Sequence, residues 1–110
     1  MSKGAFLGEF EQIVLLALLR LKDRAYGMAV RQEIEKRTGR NAAIGAVYAT
    51  LDRMERKGLV TSELGKPTLE RGGRAKRYFN VTGTGVSALS DSYQALNSMV
   101  AGLQPRLKTP

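Results

Sequence analysis

Ile44-Gly45-Ala46-Val47-Tyr48-Ala49-Thr50-Leu51-Asp52-Arg53-Met54-Glu55-Arg56-Lys57, closed by Gly58, carries two patterns at once. Ile44, Val47 or Tyr48, Leu51 and Met54 or Glu55 recur at steps of three and four, so one stripe of a helix is apolar and faces a core. The opposite side is small at Gly45, Ala46, Ala49 and Thr50, then basic at Arg53, Arg56 and Lys57. Small side chains allow a helix to approach another surface closely, and a basic end neutralises phosphates. A DNA major groove is wide enough to admit such a helix. A core helix with a solvated back fits this stretch equally well, so its neighbours must decide.

Upstream, Glu9 to Leu21 is apolar nearly all round, from Phe10 through Ile13, Val14, Leu15, Leu16, Leu18 and Leu19. A strand competes for so apolar a run, but its length and its Leu/Ala content favour a helix. Glu9 and Glu11 suit its positive end, and Arg20 and Lys22 its negative end. A central buried helix is expected, with a second subunit as a further contact. After the polar break Lys22-Asp23-Arg24, a second helix is predicted from Ala25 or Tyr26 to Thr38, with Gly39 as its C-cap and Tyr26, Val30 and Ile34 on one face. Asn41, in the connector Arg40-Asn41-Ala42-Ala43, is expected to cap the helix that follows, with a polar contact to a ligand as the other reading.

Downstream the period changes. Leu59 to Leu64 and Lys76 to Val81 are rich in β-formers, and in the second run Arg77, Phe79 and Val81 share a face. Between them lies Gly65-Lys66-Pro67-Thr68-Leu69-Glu70-Arg71-Gly72-Gly73-Arg74, a basic, glycine-rich hairpin loop too long for a tight turn. Thr82 is the expected N-cap of a last helix. Val86, Leu89, Tyr93, Leu96, Val100 and Leu103 follow at steps of three and four, a heptad-type seam that outruns the compact unit before it and favours a dimer contact. Gly102 and Pro105 end that helix.

Composition narrows the function. The 110 residues suit one small domain with an appended element. Lys and Arg number 18 against 10 Asp and Glu, a formal charge of +8 that calls for an anionic partner. The cations Arg53, Arg56, Lys57, Lys66, Arg71, Arg74, Lys76 and Arg77 cluster in the third helix and hairpin, whereas the last helix is nearly neutral. With no Cys and no His, the chain lacks a disulfide framework, the usual zinc ligands and the commonest general base. Gly83-Thr84-Gly85 lacks the later glycine of a dinucleotide fingerprint. No enzyme and no cofactor are expected. The longest apolar run, Ile13 to Leu19, is far short of a membrane span and is preceded by acids, so a cytoplasmic protein without membrane contact is expected.

The expected fold class is therefore α+β, mostly α: a winged helix-turn-helix over residues 1–81, then a C-terminal dimerisation helix and tail over 82–110. The DNA-binding candidates are Asn41, Ala46, Tyr48, Ala49, Thr50 and Arg53 around the third helix, and Lys66, Arg71, Arg74 and Lys76 in the wing. Tyr48 reads equally as a phosphate donor and as a core tyrosine with an exposed tip. Ala46 and Ala49 can meet a thymine methyl, and Thr50 and Arg53 a base edge or phosphate. The wing cations suit phosphates, with an arginine drawn to a narrow minor groove. The dimer-interface candidates are Phe10, Leu15, Leu89, Tyr93, Leu96, Met99, Val100 and Leu103, each of which also reads as core.

Gly45-Ala46-Val47-Tyr48, followed by Leu51, Met54, Glu55, Gly58 and Leu59, resembles the signature of the PadR family of transcriptional regulators. Gly73-Arg74, Tyr78 and Thr82 resemble the landmarks of that family's wing, Tyr26-Gly27 the start of its second helix, and Gly85 the glycine leading into the last. Ala49 departs from the family, which often has proline there, and the single short last helix resembles its smaller subclass. The resemblance implies a homodimeric repressor on a roughly palindromic double-stranded operator. It also implies release by a small aromatic effector near the dimer interface. A winged-helix adaptor for protein or RNA is the alternative; the modest aromatic content of 6% argues against base stacking on RNA.

Overall fold

A computed structural model describes residues 6–65, 75–103 and 105–107. Helix α1 spans Glu9–Leu21, a 3-10 turn Lys22–Arg24, α2 Gly27–Thr38 and α3 Ile44–Arg56. Strands β1, Val60–Leu64, and β2, Arg77–Val81, pair antiparallel from Val60 opposite Val81 to Leu64 opposite Arg77, and α4, Gly83–Val100, follows. The fold is a winged helix-turn-helix.

One core joins the four helices and both strands. Val14, Leu15 and Leu18 of α1, Val30 and Ile34 of α2, and Val47, Leu51 and Met54 of α3 are buried together with Leu59, Val60, Phe79, Ala88 and Leu89. α1 occupies the centre, as its apolar content predicts. It is not buried all round, however: Leu16 and Leu19 stay exposed. The α3 stripe runs through Val47, Leu51 and Met54, with Ile44 half-buried at its upper end.

Local signals set most element ends. Gly39 takes the left-handed conformation, φ +73°, at the C-cap of α2. The Thr82 hydroxyl accepts the Gly85 amide at 3.0 Å and donates to the Gly58 carbonyl at 2.7 Å, so it caps α4 and fastens it to the turn after α3. A side chain on Gly85 would run into the Leu59 carbonyl, so glycine there is what lets the first turn of α4 lie against the chain entering β1.

The end of α4, the start of α2 and the cap of α3 differ from expectation. α4 stops at Val100, because Ala101 leaves the helical conformation and Gly102 follows at φ +85°, so Leu103 of the expected seam lies beyond the helix. α2 begins at Gly27, because Ala25 and Tyr26 leave the helical conformation: the Ala25 carbonyl accepts the Phe79 amide at 2.9 Å, and the extended Tyr26 bridges Tyr78. α3 is entered through Ala43, without a side-chain cap. Asn41 is not that cap; its Oδ1 accepts Arg31 Nη2 at 3.0 Å while Arg31 Nε donates to the Ala42 carbonyl at 2.8 Å. The connector between α2 and α3 is thus held by an arginine from α2, two turns from the helix end.

Candidate nucleic-acid interface

The outer face of α3 presents Gly45, Ala46, Tyr48, Ala49, Arg53 and Arg56. Ala46, Ala49 and Arg53 share one strip at helical spacing, with no large side chain between them. Thr50 does not join them. It is only 4% exposed, because it lies about 60° from Val47 and about 40° from Met54 round the helix, at the border of the apolar stripe. Its hydroxyl faces Arg53 Nη2 at 3.5 Å.

Tyr48 is partly exposed and lies across the start of α2. A Cβ on Gly27 would collide with the Cζ and hydroxyl of its ring. Gly27 is therefore needed for the close approach of α2 and α3, a role that helix propensity does not show. The two readings of Tyr48 meet here: one side of the ring packs, and the residue remains 41% exposed.

Electrostatics divide the basic cluster into spent and available cations. The Glu11 carboxylate, only 9% exposed at its side chain, takes Arg53 Nε at 3.1 Å and Lys57 Nζ at 3.2 Å on the same oxygen. Its other oxygen takes the Gly8 amide at 3.0 Å. Burial alone would raise this carboxyl's pKa; the Gly8 amide, Arg53 and Lys57 together outweigh it, so the group is held below its ordinary value. Arg77 is engaged at the wing base, with Nη2 on Glu55 at 2.7 Å and Nε on the Ser62 hydroxyl at 2.9 Å, while that hydroxyl donates to Glu55 at 2.8 Å. Lys76 sits over the Tyr26 ring, 3.9 Å from its centroid. Arg56 has no ion pair among the described residues. The cluster seen in the sequence is thus partly compensated by acids distant in the chain. Lys66, Arg71 and Arg74 lie outside the described residues.

The proposed dimer seam also divides. Leu89 and Leu15 are buried in their own domain, at 7% and 0% exposure, and do not form an outer face. Leu89 belongs with Gly85, Ala88 and Ser92, the side of α4 that packs inward. Phe10 is partly buried under Arg40, whose guanidinium lies 5.2 Å from the ring centroid and also pairs with Glu9 at 2.8 Å. Beyond the anchored turns, Tyr93, Leu96, Met99 and Leu103 are exposed and Val100 is half-buried. Among the described residues, no helix is long and apolar enough to cross a membrane.

The family model described as the transcriptional regulator PadR-like family matches residues 15–91. Among solved structures, the chain is similar to a PadR-like transcriptional regulator from Bacillus cereus strain ATCC 14579, with a TM-score of 0.72 and 20% identity over 92% of this chain and 93% of that one. It is similar also to a PadR family transcription regulator from Clostridium difficile R20291, with a TM-score of 0.70 and 24% identity over 90% and 99% of the two chains. F93 from STIV, a winged-helix DNA-binding protein, gives a TM-score of 0.68 and 18% identity over 88% and 97%. At these identities the structures speak for the fold alone. Among curated proteins, none matches the chain.

Proposed function

The chain belongs to the transcriptional regulator PadR-like family, and from that premise we propose that it is a homodimeric repressor of a roughly palindromic operator, released by a small-molecule ligand. The family's members are regulators of transcription, not enzymes. The observation that carries the reading is the strip of Ala46, Ala49 and Arg53 on α3, open to solvent and free of bulk. In a helix-turn-helix the second helix of the pair enters the major groove while the first crosses the backbone. Here α3 is the reading helix. Ala46 and Ala49 permit close approach, Arg53 contacts a base edge or phosphate, and Tyr48 and Asn41 contact the backbone beside them. Lys76 and the loop cations Lys66, Arg71 and Arg74 bind phosphates on the flank, with a wing arginine drawn to a narrow minor groove.

Residues 1–81 form the DNA-binding unit in this reading and 82–110 the dimerisation helix and tail. The first half of α4 anchors the helix. Its second half, with Leu103 just beyond its end, offers Tyr93, Leu96, Met99 and Val100 to the same face of a second copy, with Phe10 as a further contact. Such an apolar face is what a two-fold contact between small domains requires. A two-fold dimer meets a two-fold operator. The same face, with Tyr93 and the adaptable Met99, suits a small aromatic effector.

The test is a gel-shift titration on the intergenic DNA upstream of the gene. Ala49→Glu sets a carboxylate on the outer face of α3 without touching the core. It is expected to abolish the preference for that DNA while leaving the unfolding free energy within about 0.5 kcal/mol of the parent. Undiminished binding by this variant would remove α3 from the interface.

A further inference from the structure

Glu11 is an acid at the surface by sequence and a buried anchor in the fold. It sits in the first turn of α1, yet its carboxylate reaches the C-terminal end of α3, where one oxygen holds both Arg53 Nε at 3.1 Å and Lys57 Nζ at 3.2 Å. The two cations are about half exposed, at 44% and 50%, whereas the acid is not. A carboxylate so placed is costly to leave unpaired, because the remaining Gly8 amide does not balance its charge. The arginine is engaged through Nε. Its terminal nitrogens therefore remain for a further partner, apart from the long contact to Thr50.

We infer that Glu11 is a positioning residue for DNA discrimination: it withholds Lys57 and the Nε edge of Arg53 from phosphates, and presents only the terminal nitrogens of Arg53 to DNA. This rests on the DNA-binding reading above. A lysine free to swing adds sequence-independent affinity, since any phosphate satisfies it. Held on Glu11, it adds none. A guanidinium fixed along one edge meets a base or phosphate in one orientation, which favours the correct site over others. Glu11 thus lowers affinity for arbitrary DNA and raises the contrast between sites.

The experiment compares the full chain, E11Q, K57Q and the double variant by fluorescence anisotropy on a short random-sequence duplex across a range of sodium chloride. Circular dichroism verifies folding of each. The fall of log affinity with log salt reports phosphates neutralised, at about 0.9 per contact. E11Q is expected to bind this duplex more tightly, with a slope steeper by about 0.9 to 1.8 as one or two cations are released. K57Q alone is expected to keep the parent's slope, and adding it to E11Q to return about 0.9 of the gain. A folded E11Q with the parent's slope would make Glu11 merely structural. A K57Q slope shallower by about 0.9 would show Lys57 already on a phosphate, and decides the matter even if E11Q does not fold. Absence of any salt-dependent DNA binding by the parent chain overturns the DNA-binding reading itself, a result distinct from either.

Discussion

Tyr48 and Gly27 show how one residue sets the spacing of two helices. The ring rests where any side chain at position 27 would stand. Gly27→Ala is expected to destabilise the fold by about 1–3 kcal/mol, as overpacking does, although alanine is the better helix former. Urea unfolding of the single and double variants checks this: in a Tyr48→Ala background the penalty at position 27 should vanish, giving strong coupling. Glu11 makes a second residue-scale prediction. Its carboxyl titrates below its ordinary value of 4.5 in the folded chain. A depressed carboxyl contributes stability that is complete above the unfolded value and is lost as pH falls through the folded one. Glu11→Gln should therefore cost about 1–3 kcal/mol near neutrality. The gap between parent and variant should close in acid below 4.5. Unfolding midpoints at neutral and acid pH measure it; a constant gap would remove the ion pairs from the cause.

At the scale of elements, stability depends on a few junctions. Thr82 joins the α4 cap to the turn after α3 through one hydroxyl. Thr82→Ala is expected to lower stability by about 1–2 kcal/mol, while Thr82→Ser keeps most of it; thermal unfolding of both distinguishes the hydroxyl from the methyl. Arg77 binds the wing base to Glu55 of α3 in the same way. Much of this level is legible in the sequence, because it is local. The span of α1, the glycine closing α2, the start of α3 and the Thr82 cap all follow from neighbours within a turn or two. Legibility fails where distant segments meet. Ala25 and Tyr26 look helical but are claimed by β2. Arg53 and Lys57 look free but are paired with Glu11 on another helix. Thr50 looks polar and outward, yet a short side chain at the border of an apolar stripe is readily covered. The apolar seam of α4 is visible as a period, but only the packing separates its anchored residue, Leu89, from its exposed ones, Val86 before it and Tyr93, Leu96 and Met99 after it.

For the whole molecule, the proposed function assigns different partners to the outward faces of α3 and α4: DNA to the one, a second copy to the other. Met99 is 76% exposed in the single chain. Met99→Asp should leave its folding intact while shifting sedimentation at micromolar concentration from dimer to monomer. Because each half-site then binds alone, affinity for a two-fold operator should fall well beyond tenfold. A parent chain that sediments as a monomer would disprove the α4 interface. The central claim, that α3 and the wing of this PadR-like family member read DNA, is tested most directly by competition. The intergenic DNA upstream of the gene is set against a random-sequence duplex of equal length and titrated across salt. Binding to both should weaken as salt rises, with the upstream fragment retaining a preference of at least about a thousandfold over random sequence. Equal affinity for the two at every salt concentration would contradict it.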